Sequence, residues 1–494
     1  MPLKSPQQYK DSLRDGRTVF FRGQRVPDVT THPVLGVAVD HAAIDYRLAE
    51  DPKYRDLAVA IDAGGKELGR HYVIPHSADD LLKRSQIIDA ATREGATLVT
   101  LIKEIGTDGL FALHLIAKQM DDQLGTKYLG RVQDFYRHCA EGDLAVAVAQ
   151  TDVKGDRSLR PSEQEHPDYY LRVVERRPDG IVVRGCKVHT SIATNAHEII
   201  VLPTRNMEEG DKDYAVAFAV PANAKGLKMI ASPYGSRQGN AFEHPLSTDH
   251  KMMETMTIFD DVFVPRERVF LDGEWQFAGP LALAFVEFHR FTAVSYKLPL
   301  VDLLVGAAAL LADYNGVARA AHVRDKFVWL VTYAETVRWL TKMAALECRT
   351  QELGIAVPNP LISNIAKFRF AEDYHKALQH VQDIAGGLLV TAPGLEDLQN
   401  PETAAYVKRY LGGRKGVSAE DRLRALNMVS DLTTGDFGGY QAVLAVHAEG
   451  SIEAEKLTIF RDYDLRPALA YAKRVAGIAE RPPRAAQPPG PAKK

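Results

Sequence analysis

The chain has 494 residues, 46% of them apolar and 25% charged, with a formal net charge of −3. That length allows about two or three domains around a large core. The near-neutral balance gives no electrostatic ground for nucleic acid or a membrane surface as partner. Three scattered cysteines, Cys139, Cys186 and Cys348, lack metal-type or disulfide-framework spacing and fit a reducing, cytoplasmic setting.

In chain order, residues 1–6 lack the apolar stretch of a secretory signal. Residues 37–140 carry helical periodicity, clearest over 80–88 and 100–120. Near Leu144 the texture changes to short β-branched runs at 170–174, 180–185, 198–202, 214–220 and 256–264, several separated by turn formers such as Pro178-Asp179-Gly180. Long helical patterns return at 281–315, 321–353, 360–385 and 440–455, which predicts a four-helix bundle. The longest apolar run, 298–312, is interrupted by Pro299 and Asp302 and is too short to span a bilayer. The Pro-, Ala- and Lys-rich tail, 481–494, is expected to be disordered. These patterns divide the chain into a helical part (1–140), a β-rich part (141–275), a helical bundle (276–480) and the tail.

The helix-like segment from Phe288 to Lys297 carries the most chemistry. At about 100° per residue Tyr296 falls nearly beneath His289, with Lys297 to one side. An imidazole, a phenol and a cation would then share a cavity-facing side, and no cysteine lies near them. Glu254 sits among Met252, Met253 and Met256, surroundings that would raise a carboxyl pKa and suit acid–base work. The segment from Gln150 to Ser158 offers Lys154 and Arg157 to a phosphate, although spacing alone favours a solvated loop. It is neither a P-loop nor a dinucleotide fingerprint. Thr190 and Ser191 either meet a planar cofactor or satisfy local backbone groups. Asp260, Asp261, Arg266 and Arg268 read as turn and pairing residues.

Thr151 through Pro161, Phe259 through Phe270, and His289 through Lys297 resemble the family that unites two-component 4-hydroxyphenylacetate 3-monooxygenases with 4-hydroxybutyryl-CoA dehydratases. Asp383-Ile384-Ala385-Gly386-Gly387 and His447-Ala448-Glu449-Gly450-Ser451 add support, and the resemblance runs from about residue 5 to 465. It implies an α+β, acyl-CoA-dehydrogenase-like fold: an N-terminal helical domain, a middle β-barrel-like domain and a C-terminal four-helix bundle. It also implies a homotetramer binding FAD. Carried over by position, Gln150, Thr151, Lys154 and Arg157 would approach the flavin from the middle domain, and Thr190 and Ser191 would lie near its ring system. Gly386, Gly387, Glu449, Gly450 and Ser451 would contribute from the bundle or a partner chain.

In the dehydratase branch an iron–sulfur cluster is held by a cysteine pair, a histidine and a third cysteine. The matching positions here are Thr100, Glu104, His289 and Tyr296, and only the histidine is kept. The phenol-binding residues of the monooxygenase branch would fall near Ile105, Gly109 and Ala147, so a simple 4-hydroxyphenyl acid is not expected in the usual pose. The leading expectation is an FAD-dependent monooxygenase that takes reduced flavin (FADH2) from a separate reductase and hydroxylates a phenolic or related small substrate. His289, Tyr296 and Lys297 would donate hydrogen bonds and deprotonate the phenol. The alternative is cluster-free isomerase, dehydratase or desaturase chemistry on an acyl-CoA-like substrate. There Glu254 or His289 would remove a proton and Lys297 would stabilise the anion. A non-catalytic flavin scaffold leaves the acid–base groups without a purpose.

Overall fold

The computed structural model describes residues 3–62, 64–232 and 239–478; the tail expected to be disordered lies outside the described residues. The first long helices are α1 (Ala78–Glu94), α2 (Glu104–Leu124) and α3 (Tyr128–Glu141). Ser77 caps α1 by accepting from the Asp80 amide, and Asp79 and Asp80 in its first turn complement the helix dipole. Most of α2 is buried on every side, as befits a helix at the centre of a fold, and it stops at Gly125 in the left-handed conformation.

The strand-rich middle forms two sheets. The larger comprises β1 (Val19–Phe21), β2 (Gln24–Val26), β6 (Arg172–Arg177), β7 (Gly180–Ser191), β10 (Leu227–Ala231) and β11 (Glu254–Pro265), in the order β2-β1-β10-β11-β7-β6. The smaller comprises β5 (Val146–Ala149), β8 (Glu198–Val201), β9 (Val216–Pro221) and β12 (Val269–Asp272), in the order β12-β9-β8-β5. Each of the five strand-like runs in the sequence contributes a strand. Two features of the helical N-terminal stretch differ from expectation. β1 pairs in parallel with β10, so the chain's start completes the middle sheet, and β3 (Val59–Ile61) pairs with β4 (Glu67–Gly69). Three-residue strands are too short to show a period of two.

Asp260 and Asp261 are structural, but their partners are not the nearby arginines: Asp260 meets Lys228 at 2.7 Å and Asp261 takes a bidentate pair from Arg184. Arg268 instead reaches Glu198 at 2.6 Å.

The C-terminal region holds α4 (Ala278–Tyr296), α5 (Leu298–Tyr314), α6 (Ala321–Leu346), α7 (Pro360–Ala385), α8 (Ala419–Thr433), α9 (Asp436–His447) and α10 (Ile452–Asp462). The pattern at 281–315 is two helices meeting at Lys297, because Pro299 in the first turn of α5 cannot extend α4. The continuous helix expected over 440–455 is broken: Glu449 (φ 58°) and Gly450 (φ 114°) are left-handed and separate α9 from α10. The stretch Trp275–Tyr314 is apolar enough in composition to cross a membrane, yet two-thirds of that apolar window is buried within the fold.

Gly106 lets α2 lie directly on β5. A Cβ there would stand 2.4 Å from the Val146 Cβ and 2.6 Å from its carbonyl oxygen. Gly106→Ala is therefore expected to cost about 1–3 kcal/mol through overpacking. Urea unfolding reads this directly, and an unchanged midpoint would contradict the close approach.

Candidate functional site

Ser191 ends β7 and Glu254 begins β11, and the antiparallel register sets them side by side. The Ser191 hydroxyl donates to both Glu254 oxygens, at 2.9 and 3.0 Å. Tyr440 of α9 donates to Oε1 at 2.8 Å, so this carboxylate joins the sheet to the bundle. Burial pushes the Glu254 carboxyl above its ordinary pKa, and the Tyr440 and Ser191 hydrogen bonds pull it part of the way back. Next to Ser191, Thr190 is fully buried and its hydroxyl has no partner among the described residues.

Lys297, at the joint between α4 and α5, places Nζ 3.1 Å from Glu449 Oε2. The ammonium also lies 4.2 Å from the Tyr296 ring centre and 5.2 Å from that of Phe370. Lys367 of α7 stands 3.8 Å from the same Glu449 oxygen and 3.1 Å from Glu455 Oε1. Arg290 donates to the Glu449 carbonyl at 3.0 Å and to Asn364 at 2.6 Å. Burial drives Lys297 well below its ordinary pKa, and the Lys367 charge adds to the shift. Burial and the Glu455 charge raise Glu449 well above the carboxylate range. Both shifts favour the neutral forms, the amine and the carboxylic acid.

His289 belongs to a separate network. Its Nδ1 donates to Asp108 Oδ2 at 3.0 Å while its ring stacks on Phe285. Asp108 also accepts from Arg84 at 2.7 Å and from Thr292 at 3.0 Å. No hydrogen bond or ion pair among the described residues joins this group to Lys297, although Tyr296 and Lys297 line one narrow crevice. Thr100 donates to Glu104 at 2.9 Å, so those two positions bind each other. With Tyr296 they supply a hydroxyl, a carboxylate and a phenol where a cluster needs thiolates, and the residues do not fit one. Among the described residues no group of three or more His, Cys, Asp or Glu is arranged for a metal ion.

In the middle region Lys154 is half-buried with φ 76° and Arg157 is exposed. Burial, then the Arg157 charge, lowers the Lys154 pKa. The carbonyl of Gln150 accepts from Lys187 at 2.8 Å, and that of Thr151 accepts from the Val188 amide at 2.8 Å. Gly386 and Gly387 line a second cavity, of about 320 Å³, with Arg422 and His322. They end α7, roughly 28 Å along the helix from Lys367, so this cavity is remote from the Glu254 seam within one chain. Gly450 packs so closely on Arg290 that a Cβ added to it would stand 2.6 Å from Nη2, and Ser451 caps α10 through the Ala454 amide.

The sequence reading missed Asp108, Arg84, Lys367, Glu455 and Tyr440. Asp108 sits four residues after Glu104 on a helix with apolar faces, and a charge buried at such a position is the signal that marks it. Lys367 carries no comparable mark.

The 4-hydroxyphenylacetate 3-hydroxylase N-terminal family model matches residues 5–271 and the C-terminal one residues 278–477. The chain belongs to this family. It is 32% identical to a 4-hydroxybutyryl-CoA dehydratase/vinylacetyl-CoA-Delta-isomerase of Clostridium aminobutyricum, with 96% of this chain and 100% of that protein covered. A 4-hydroxybutyryl-CoA dehydratase structure from N. maritimus superposes with TM-score 0.91 at 30% identity, covering 100% of this chain and 98% of that one. The oxygenase component of 4-hydroxyphenylacetate 3-monooxygenase complexed with FAD superposes with TM-score 0.87 at 26% identity, covering 96% and 98%. Several other relatives are oxygenase components of monooxygenases.

Asp108→Ala would leave Arg84 buried without its counter-charge. The expected loss of stability is about 3–5 kcal/mol, measured by chemical denaturation. A loss below about 1 kcal/mol, the range of exposed pairs, would mean that the pair is solvated.

Proposed function

We propose that this protein is an FAD-dependent monooxygenase component that receives reduced flavin from a separate reductase and hydroxylates a phenolic or related small substrate. The observation that carries the reading is the seam between sheet and bundle. It buries an acid–base set, Glu254 with Lys297 and Glu449, while three of the four positions matching cluster ligands hold groups unable to bind iron–sulfide. Relatives with the same architecture bind FAD and act as oxygenase components. In this reading the fold is acyl-CoA-dehydrogenase-like, with helical, β-rich and bundle domains at 1–140, 141–275 and 276–480, and the chain assembles as a homotetramer.

The residues present fit a flavin. The unpartnered Thr190 hydroxyl faces the need of a ring-edge hydrogen bond, and Lys154 and Arg157 suit a diphosphate. The open cavity at Gly386 and Gly387 suits the distal part of a flavin held by a neighbouring copy, because it is too far along α7 to serve the same chain's seam. Gln150 and Thr151 shape the strand end beside Lys154, and Gly450 and Ser451 set the turn that presents Glu449. Reduced FAD bound there supplies the electrons that activate dioxygen.

Lys297 Nζ, held toward its neutral amine, accepts the phenolic proton, and Glu449 receives it across their 3.1 Å contact. Tyr296 and His289 orient the substrate and keep water out, and Glu254 holds a proton at the flavin side. A second reading, proton transfer on an acyl-CoA thioester, is favoured by the whole-length similarity to the dehydratase/isomerase. Glu254 would then be the base and Lys297 the anion-stabilising group.

Protein supplied with FAD, a flavin reductase, NADH and air is expected to add one oxygen atom to a phenol, as read by mass spectrometry. Oxygen-independent turnover of crotonyl- or vinylacetyl-CoA, with no phenol hydroxylated, would replace this reading by the second. Lys297→Met should lower kcat by about 10²–10⁴. In the wild type, kcat/KM should rise with pH through a midpoint below 10.5, since the amine must be neutral to accept a proton. That limb should vanish in the variant; full activity with an unchanged profile would remove Lys297 from the mechanism.

A further inference from the structure

The loop between α1 and α2 is bent back over the seam. Gly95 ends α1 where a Cβ would strike the Leu98 carbonyl at 2.3 Å and the His41 ring at 2.7 Å. Three residues that follow, Ala96 (φ 49°), Thr97 (φ 76°) and Leu101 (φ 59°), are left-handed, and His41 Nε2 meets the Val99 carbonyl at 3.1 Å. A β-branched residue in that conformation is a true outlier, and such strain persists only where surrounding structure holds it. The loop thereby fixes Thr97 at the wall of the crevice that Tyr296 and Lys297 line.

The polar groups in this wall have unused capacity. Thr97 is 7% exposed, and its hydroxyl has no partner among the described residues. Gln441 of α9 is 4% exposed and its carboxamide makes no hydrogen bond among the described residues. The Tyr296 hydroxyl is likewise unbonded there, and Lys297 uses one of three N–H groups on Glu449. The remaining wall is apolar, with Leu300, Phe370 and Leu444. The free space in the crevice is about 10 Å³, room for roughly one oxygen-sized atom. Packing alone does not account for Thr97, because Val would fill the same volume without burying an unpaired hydroxyl.

We infer that Thr97, Tyr296, Lys297 and Gln441 form a single-oxygen subsite that holds the substrate's phenolate or thioester-carbonyl oxygen, with Thr97 and Gln441 setting specificity for that atom. The chemistry common to both sources is an oxygen acceptor on an apolar carbon frame. A buried hydroxyl with no protein partner makes the penalty for an analogue lacking the oxygen large. The inference rests on the seam being the reaction site, but not on which of the two reactions occurs there.

The test is equilibrium binding to the FAD-loaded full chain under nitrogen, with p-cresol against toluene and crotonyl-CoA against the S-butyl thioether of CoA. Thr97→Val and Gln441→Leu should each weaken the oxygenated probe at least tenfold while leaving its deoxy counterpart within about twofold, the gap expected for losing a hydrogen bond in a buried site. Thr97→Ser, which keeps the hydroxyl, should retain wild-type discrimination, and unfolding midpoints identify any variant that has not folded. Discrimination confined to the p-cresol pair supports both the subsite and the monooxygenase reading. Discrimination confined to the crotonyl-CoA pair keeps the subsite and removes that reading. Wild-type affinity for both oxygenated probes in both variants, equal loss of oxygenated and deoxy probes, or no binding of any probe by the wild type would overturn the subsite.

Discussion

The contact between Lys297 and Glu449 constrains much of the surrounding architecture. Each side chain is almost wholly removed from water, and an ion taken into such surroundings loses several kcal/mol of hydration. Four helices supply the polar groups around the pair, and their charges act in both directions: Glu455 favours an ionised Lys297 and Arg290 an ionised Glu449, whereas Lys367 opposes the first and Glu455 the second. Lys367 comes from α7, Arg290 from α4, Glu455 from α10, and Tyr440 of α9 fixes the adjacent Glu254. Glu449 can reach inward only because the backbone turns left-handed at 449–450. The break between α9 and α10 and the joint at Pro299 therefore serve one arrangement: two helix ends brought together around a buried amine–carboxyl contact.

The same arrangement explains why the middle sheet is needed. Strands β7 and β11 are long enough to carry Ser191 and Glu254 out to the bundle, and their antiparallel register sets the two residues together. Glu254 lies close enough to Glu449 that, when ionised, it is one of the influences that raise that carboxyl, after burial and Glu455. Sheet and bundle are thus coupled electrostatically across a seam that neither could form alone. The Arg84–Asp108–His289 network supports the same region from α1 and α2, holding the imidazole in one orientation through its Nδ1 hydrogen bond.

Much of this was legible in the sequence where signals are local. Alternation and turn residues located β7 and β11, and helical periodicity located α1, α2 and α7. The methionines around Glu254 marked a carboxylate with a raised pKa, and the run from Phe288 to Lys297 marked a helix face with chemistry on it. What escaped was non-local. Asp108 and His289 are 181 positions apart, and no periodicity links them. Lys367 reads as an ordinary helix lysine until α10 packs beside it. The break at 448–451 was masked because Glu449 is a good helix former whose conformation is imposed by its buried partners. His289 and Lys297, close in sequence, proved to serve different networks, since two turns of helix separate them along the axis.

The account's central claim is that flavin chemistry takes place at the seam built around Lys297, Glu449 and Glu254. A crystal structure of the chain soaked with FAD tests it most directly. The account predicts the isoalloxazine ring within hydrogen-bond reach of the Thr190 hydroxyl and facing Lys297, with the distal part of the cofactor directed toward Gly386 and Gly387 of a neighbouring copy. A ring bound away from both Thr190 and Lys297 would contradict it.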